Sequence, residues 1–114
     1  LIMHEAIGIV EMFGFVTAIS AADAAAKAAD VRIIAIDSNK PADPTVDVPL
    51  IMAIKMQGSV SAVKAGVEAA AAEADRLSGL INKHIIASPT DDTQKMAERI
   101  SVGRDKVGHI PMNA

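Results

Sequence analysis

Apolar positions along this chain come in short blocks, and the spacing within each block separates strands from helices. Residues 4–13 (HEAIGIVEMF) are rich in Ile and Val and predict a strand that Gly14 ends. Residues 15–29 (FVTAISAADAAAKAA) carry no Gly or Pro and are dominated by Ala, which predicts a helix. Phe15, Ile19, Ala22 and Ala26 fall at helical spacing and are expected to form its inner face. Residues 31–36 (VRIIAI) and 50–56 (LIMAIKM) are short apolar runs and predict the second and third strands. Ser59 is placed to cap a long helix over residues 60–77. Residues 80–86 (LINKHII) predict a fourth strand. Ser88 then offers a cap, with Pro89 at the first helical position, for a short third helix reaching about residue 100.

Between the second and third strands, residues 37–49 (DSNKPADPTVDVP) hold three prolines and three aspartates and can continue neither element. A connection of that length in a short chain is usually functional or mobile. The order βαββαβ plus a terminal helix gives an α+β, ferredoxin-like split sheet. Right-handed crossovers put both long helices on one face. The opposite face is too apolar to stay bare, Arg32 and Lys55 being the only charges expected inside the two central strands. Residues 4–100 form the domain, and residues 101–114 read as a loose tail.

Composition sharpens this picture. At 114 residues the chain suits one domain. It is 51% hydrophobic, yet Phe13 and Phe15 are its only aromatic residues. A core of Ala, Ile, Val, Leu and Met buries little area per residue, and at about 25 cal/mol per Å² that leaves a lone subunit marginal. The apolar excess therefore points to contacts between subunits. A net charge of −3 with scattered Lys and Arg gives no stripe for nucleic acid. The missing aromatic platforms agree. With no cysteine, disulfides, thiol nucleophiles and Cys-held zinc are excluded. No apolar run reaches the roughly 20 residues that span a bilayer.

Candidate chemistry is sparse. Ser20, Ser59, Ser61, Ser78 and Ser88 lack a nucleophile setting. His4, His84 and His109 lack the i, i+4 spacing of a helical metal site. His4 and His84 could approach each other across the strands, with Glu5 as a third ligand, but this is the minor reading. Glu11 is the one carboxylate set among apolar strand residues and is expected to pair with a Lys or Arg at a subunit contact. Asp37, Asp43 and Asp47 miss the spacing and central Gly of a calcium loop. These residues suggest no catalytic site, cofactor or metal.

Four segments together resemble the bacterial microcompartment (BMC) shell proteins. Glu5-Ala6-Ile7-Gly8-Ile9-Val10-Glu11 followed by Gly14-Phe15 is similar to their E-A-L-G-M-[IV]-E-x-x-G-[LF] opening. Residues 22–29 (ADAAAKAA) resemble the A-[SA]-D-A-M-x-K-[AS]-A segment, and residues 58–65 (GSVSAVKA) the G-D-V-x-A-[VC]-K-A segment. His84-Ile85-Ile86-Ala87-Ser88-Pro89 falls where the family has H-V-I-P-R-P. The order is unbroken and not permuted. The resemblance implies a single-domain, non-enzymatic shell protein whose homohexamers tile edge to edge with other shell proteins around encapsulated enzymes, in the bacterial cytoplasm.

It also implies that the 37–49 loop lines a central pore, with Ser38, Asn39, Lys40, Pro41, Ala42 and Asp43 as lining residues that would gate metabolites. This loop departs from the family's Lys-x-Gly-[GS]-Gly pattern, being longer, Pro-rich and without Gly, so an altered or occluded pore is expected. Sixfold rings of Lys40, Asp43 or Asp47 are tolerable, since like charges ~10 Å apart in water repel by only about 0.4 kcal/mol. Lys27 matches the lysine on the family's hexamer edge. Ser88 stands where the partner arginine would be, which loses a forked donor. The alternative from another class is a small-molecule sensor of the ACT or PII kind, with its ligand at a subunit interface. Fold alone does not separate the two.

Overall fold

The computed structural model describes residues 4–39, 45 and 50–99. The elements are β1 (Ala6–Phe13), α1 (Phe15–Ala28), β2 (Arg32–Asn39), β3 (Ile51–Gly58), α2 (Val60–Leu77), β4 (Leu80–Ile86) and α3 (Asp91–Ala97). The four strands form one antiparallel sheet in the order β2-β3-β1-β4. This is the α+β split sheet that the element order implies.

Alternation along the strands assigns each residue to a face. Ala6, Val10 and Met12 of β1 and Met52, Ile54 and Met56 of β3 join Val63, Val67, Ala70 and Ala74 of α2 in one core. Ala18, Ala21, Ala22 and Ala25 of α1 complete it. Unbranched Met fills the irregular gaps that an aromatic-poor core leaves. Because the helices present mostly methyl groups, they settle close to the strands. A methyl group added at Gly8 would lie 2.5 Å from Val67 Cγ2 and 2.8 Å from Val63 Cγ1. One added at Gly66, mid-way along α2, would lie 2.8 Å from Met56 Sδ.

The inner face of α1 differs from the expected one. Thr17, Ala18, Ala21, Ala22 and Ala25 are buried, while Phe15 and Ile19 are each 45% exposed and Ala26 faces solvent. Small residues win the inner stripe because Phe and Ile there would hold α1 away from α2 and the sheet.

Other boundaries shift for local reasons. β2 runs to Asn39, three residues further than expected, because Asp37, Ser38 and Asn39 pair with Ala53, Met52 and Ile51. The α3 cap is Thr90, not Ser88: its Oγ1 accepts from the Thr93 N–H at 3.2 Å, and Pro89 precedes the helix as a buried residue. The helix ends at Ala97, short of residue 100. The central strands are β3 and β1, so their charges are Lys55 and Glu11, and Arg32 lies on the β2 edge. On the β4 edge, the register shifts opposite Glu11 and Met12. There Lys83 stands opposite Val10, on the helix side, and reaches Glu68 of α2 at 2.9 Å. Residues 101–114 lie outside the described residues.

Gly8→Ala should overpack the seam between β1 and α2 and cost about 1–3 kcal/mol. The check is a lower urea midpoint at an unchanged slope. An unshifted midpoint would mean that Val63 and Val67 have room to give.

Candidate assembly surfaces

The sheet face turned away from α1 and α2 carries Gln57, Lys55 and Asp37, and α3 lies across part of it. Gln57 and Gln94 exchange amide hydrogen bonds: Gln57 Nε2 donates to Gln94 Oε1 at 2.7 Å and Gln94 Nε2 to Gln57 Oε1 at 3.0 Å. Their second N–H groups go to the Glu5 carbonyl (3.0 Å) and to Glu98 Oε1 (2.8 Å). Both glutamines are buried, at 4% and 9% exposure, so their full hydrogen-bond complement is what makes the burial tolerable. At one side of this pair, His4 Nε2 meets Asp91 Oδ1 at 2.7 Å. At the other, Lys55 Nζ is paired with the Asp37 carboxylate and donates to the Arg99 carbonyl at 3.1 Å. α3 is thus seated by polar contacts, with Ala97 its one buried apolar residue.

A second surface is apolar. Val16 is 79% exposed at the start of α1, with Phe15 and Ile19 beside it on the same helix. Leu50, Leu77 and Ile81 are also large and exposed. Hydrogen bonds tie their segments to one end of the molecule. The Gly14 N–H donates to the Leu50 carbonyl at 2.8 Å. Ser78 Oγ donates to the Phe13 carbonyl (2.6 Å) and lies within hydrogen-bond reach of the Thr17 hydroxyl (2.9 Å), which can donate to it. Large exposed apolar side chains at one end of a molecule make that end a candidate contact surface. Reading Phe15 and Ile19 as inward-facing hides this surface in the sequence. The continuous alanine stripe at residues 18, 21, 22 and 25 is the signal that could have found it.

The residues singled out by sequence fall at two ends of the sheet. Ser38 and Asn39 close β2, opposite Met52 and Ile51, at the same end as the apolar surface. Lys40, Pro41, Ala42 and Asp43 lie outside the described residues. Lys27, in the last turn of α1, and Ser88, just past β4, belong to the opposite end, where β1 begins. Both are exposed. Lys27 Nζ lies 2.7 Å from Asp23 Oδ2, one turn earlier, and the hydrogen bond and charge of Asp23 raise its pKa.

On the helix side, Glu73 accepts from Ser20 Oγ of α1 and from Arg76 Nε, both at 2.7 Å. Arg76 first, then Ser20, lowers its pKa. Glu11 is half-buried between Ala53 and Asn82. His84 stands opposite Ile9 while His4 is engaged with Asp91, so the strands do not bring the two imidazoles together. Among the described residues no group of His, Asp and Glu is arranged to hold a metal ion.

Comparison with known proteins places this geometry. The family model of the BMC domain matches residues 6–89, from the first residue of β1 to the turn before α3. The bacterial microcompartment shell protein EutK of Salmonella typhimurium is 35% identical over 96% of this chain, which spans 63% of that relative's length. EutM of the same organism, also a bacterial microcompartment shell protein, is 34% identical over 81% of this chain and 88% of its own. Among solved structures, a microcompartment protein from Desulfitobacterium hafniense superimposes with a TM-score of 0.60 at 26% identity. That match covers 77% of this chain and 43% of the other. No described helix is long and apolar enough to cross a membrane.

Replacing Gln94 by Leu should strand the Gln57 amide and cost about 1–3 kcal/mol. Replacing both glutamines by Leu should cost less than the two single changes added together. Urea midpoints of the three variants check this; strict additivity would show that the amide pair contributes nothing as a pair.

Proposed function

Because the chain belongs to the BMC-domain family, we propose that this shell protein is a non-catalytic building block closed into a homohexameric tile. The observation that carries the reading is the apolar surface around Val16, Phe15, Ile19 and Leu50, on a subunit whose own core is largely alanine. A single copy leaves that surface in water. A ring buries it against the next copy, and the gain adds to a core that buries little area per residue. The same end of the sheet carries Ser38 and Asn39, where β2 leads into residues 40–49. Copies joined through this end would turn that connection toward the symmetry axis, as a pore lining that passes or refuses metabolites by size and charge.

The opposite end, with Lys27 and Ser88, is then left for contact with neighbouring shell proteins in a layer enclosing enzymes in the bacterial cytoplasm. Ser88 is short and uncharged where the family has a forked guanidinium, so lateral contact here leans on Lys27. Its ammonium is shared with Asp23, which lies on the exposed side of the same helix.

Sedimentation velocity and negative-stain electron microscopy test the reading. The wild-type chain should sediment as a hexamer and form sheets or tubes when concentrated. Val16→Asp places a charge on a site already 79% exposed, so it should leave the fold intact and shift the chain to single subunits. Lys27→Ala should keep the hexamer and weaken sheets. A wild-type chain that stays a single subunit at every concentration sinks the proposal. So does a dimer or trimer whose melting temperature rises with one metabolite.

A further inference from the structure

Lys55 stands at a crossing point that the tile does not require. It lies on β3 opposite Ala35, and Asp37 is its diagonal neighbour on β2. Lys55 and Asp37 have side chains only 13% and 19% exposed, so the ammonium has given up most of its water. In return it has the Asp37 carboxylate and the carbonyl of Arg99, two residues beyond the end of α3. An ammonium has three donors in a compact fan and shifts easily when one acceptor is lost. With so little solvent to compensate, removing either acceptor makes the other carry a poorly matched charge.

We propose that Lys55 couples the seating of α3 to the end of β2. Whatever holds α3 down keeps Arg99 in reach of the ammonium, and this keeps Asp37 and the last residues of β2 fixed. Loosening β2 at Asp37 frees Lys55 to move and weakens the hold on α3. A helix of seven residues has little stability of its own and depends on such contacts. Two neighbouring contacts bear on the same face. Gln57, two residues along β3 from Lys55 and therefore on the same face, grips Gln94 in the middle of α3. Arg32, at the start of β2 opposite Gln57, reaches Glu5 Oε1 at 3.0 Å. Through Gln57 and Lys55, α3 and the end of β2 are both fastened to one row of β3 side chains, while Arg32 ties the start of β2 to Glu5. A partner that binds or lifts α3 would be felt where β2 leads into residues 40–49. Only the relevance of this to a pore rests on the tile reading; the coupling itself does not.

Amide hydrogen exchange of the full chain tests the coupling directly, with Asp37→Asn and Lys55→Met as variants. Asp37→Asn should speed exchange over residues 94–99 about tenfold, the usual size of a coupling between two sites. Lys55→Met should speed exchange over both 94–99 and 36–39, and adding Asp37→Asn to it should change residues 94–99 no further. Exchange in α1 and α2 should stay at the wild-type rate. The proposal is overturned if Asp37→Asn leaves residues 94–99 unchanged, or if exchange rises evenly through α1 and α2, which is general destabilisation. Electron microscopy of the same samples reports on tiling separately, so failure of the coupling and failure of the tile are distinguishable.

Discussion

Two helices lined with alanine come to rest on strands that offer no side chain at Gly8, so α2 approaches β1 with almost nothing between them. That closeness governs what the rest of the chain can do. Close-packed small residues give up hydrophobic area in exchange for fit, and the bulky apolar residues they displace have to go elsewhere. In α1 they go outward: Phe15, Val16 and Ile19 stand at the surface. The exposed apolar surface is therefore a product of how the core is built, and a subunit made this way has reason to associate.

The other side of the sheet follows a different rule. There burial is made acceptable by matched polar groups, with Gln57 and Gln94 each using both amide protons and Lys55 shared between a carboxylate and a carbonyl. Such contacts are directional and modest in net strength, and they fix position more than they add stability. A short helix held in this way is well placed and easily released, whereas α1 and α2 are held by area and stay put.

Much of this was legible in the sequence and some of it was not, for identifiable reasons. The order of elements and the bounds of α2 and β4 follow from the Ser59 cap and the apolar runs, because local chemistry and tertiary packing agree there. The inner face of α1 does not follow, since ranking by bulk puts Phe15 and Ile19 inside while packing favours methyl groups. β2 extends past its apolar run because strand pairing accepts polar Asp37, Ser38 and Asn39 once β3 runs alongside. The Gln57–Gln94 pair joins residues 37 apart and leaves no mark in any local pattern. Lys27 and Ser88 stand out only through resemblance to a family and carry no physical signal of their own. Their exposure fits an edge without identifying one.

The β4 margin has a further consequence. A long flat strand at a sheet margin is a template onto which any extended peptide can be hydrogen-bonded. Here the template is spoiled twice, by the irregular register opposite Glu11 and Met12 and by Lys83 leaning back over the helices toward Glu68. Any chain packed closely beside others through such a margin is exposed to backbone-to-backbone growth. By defacing that margin, the chain leaves β4 to meet a neighbour through side chains, which can be matched, tuned and reversed.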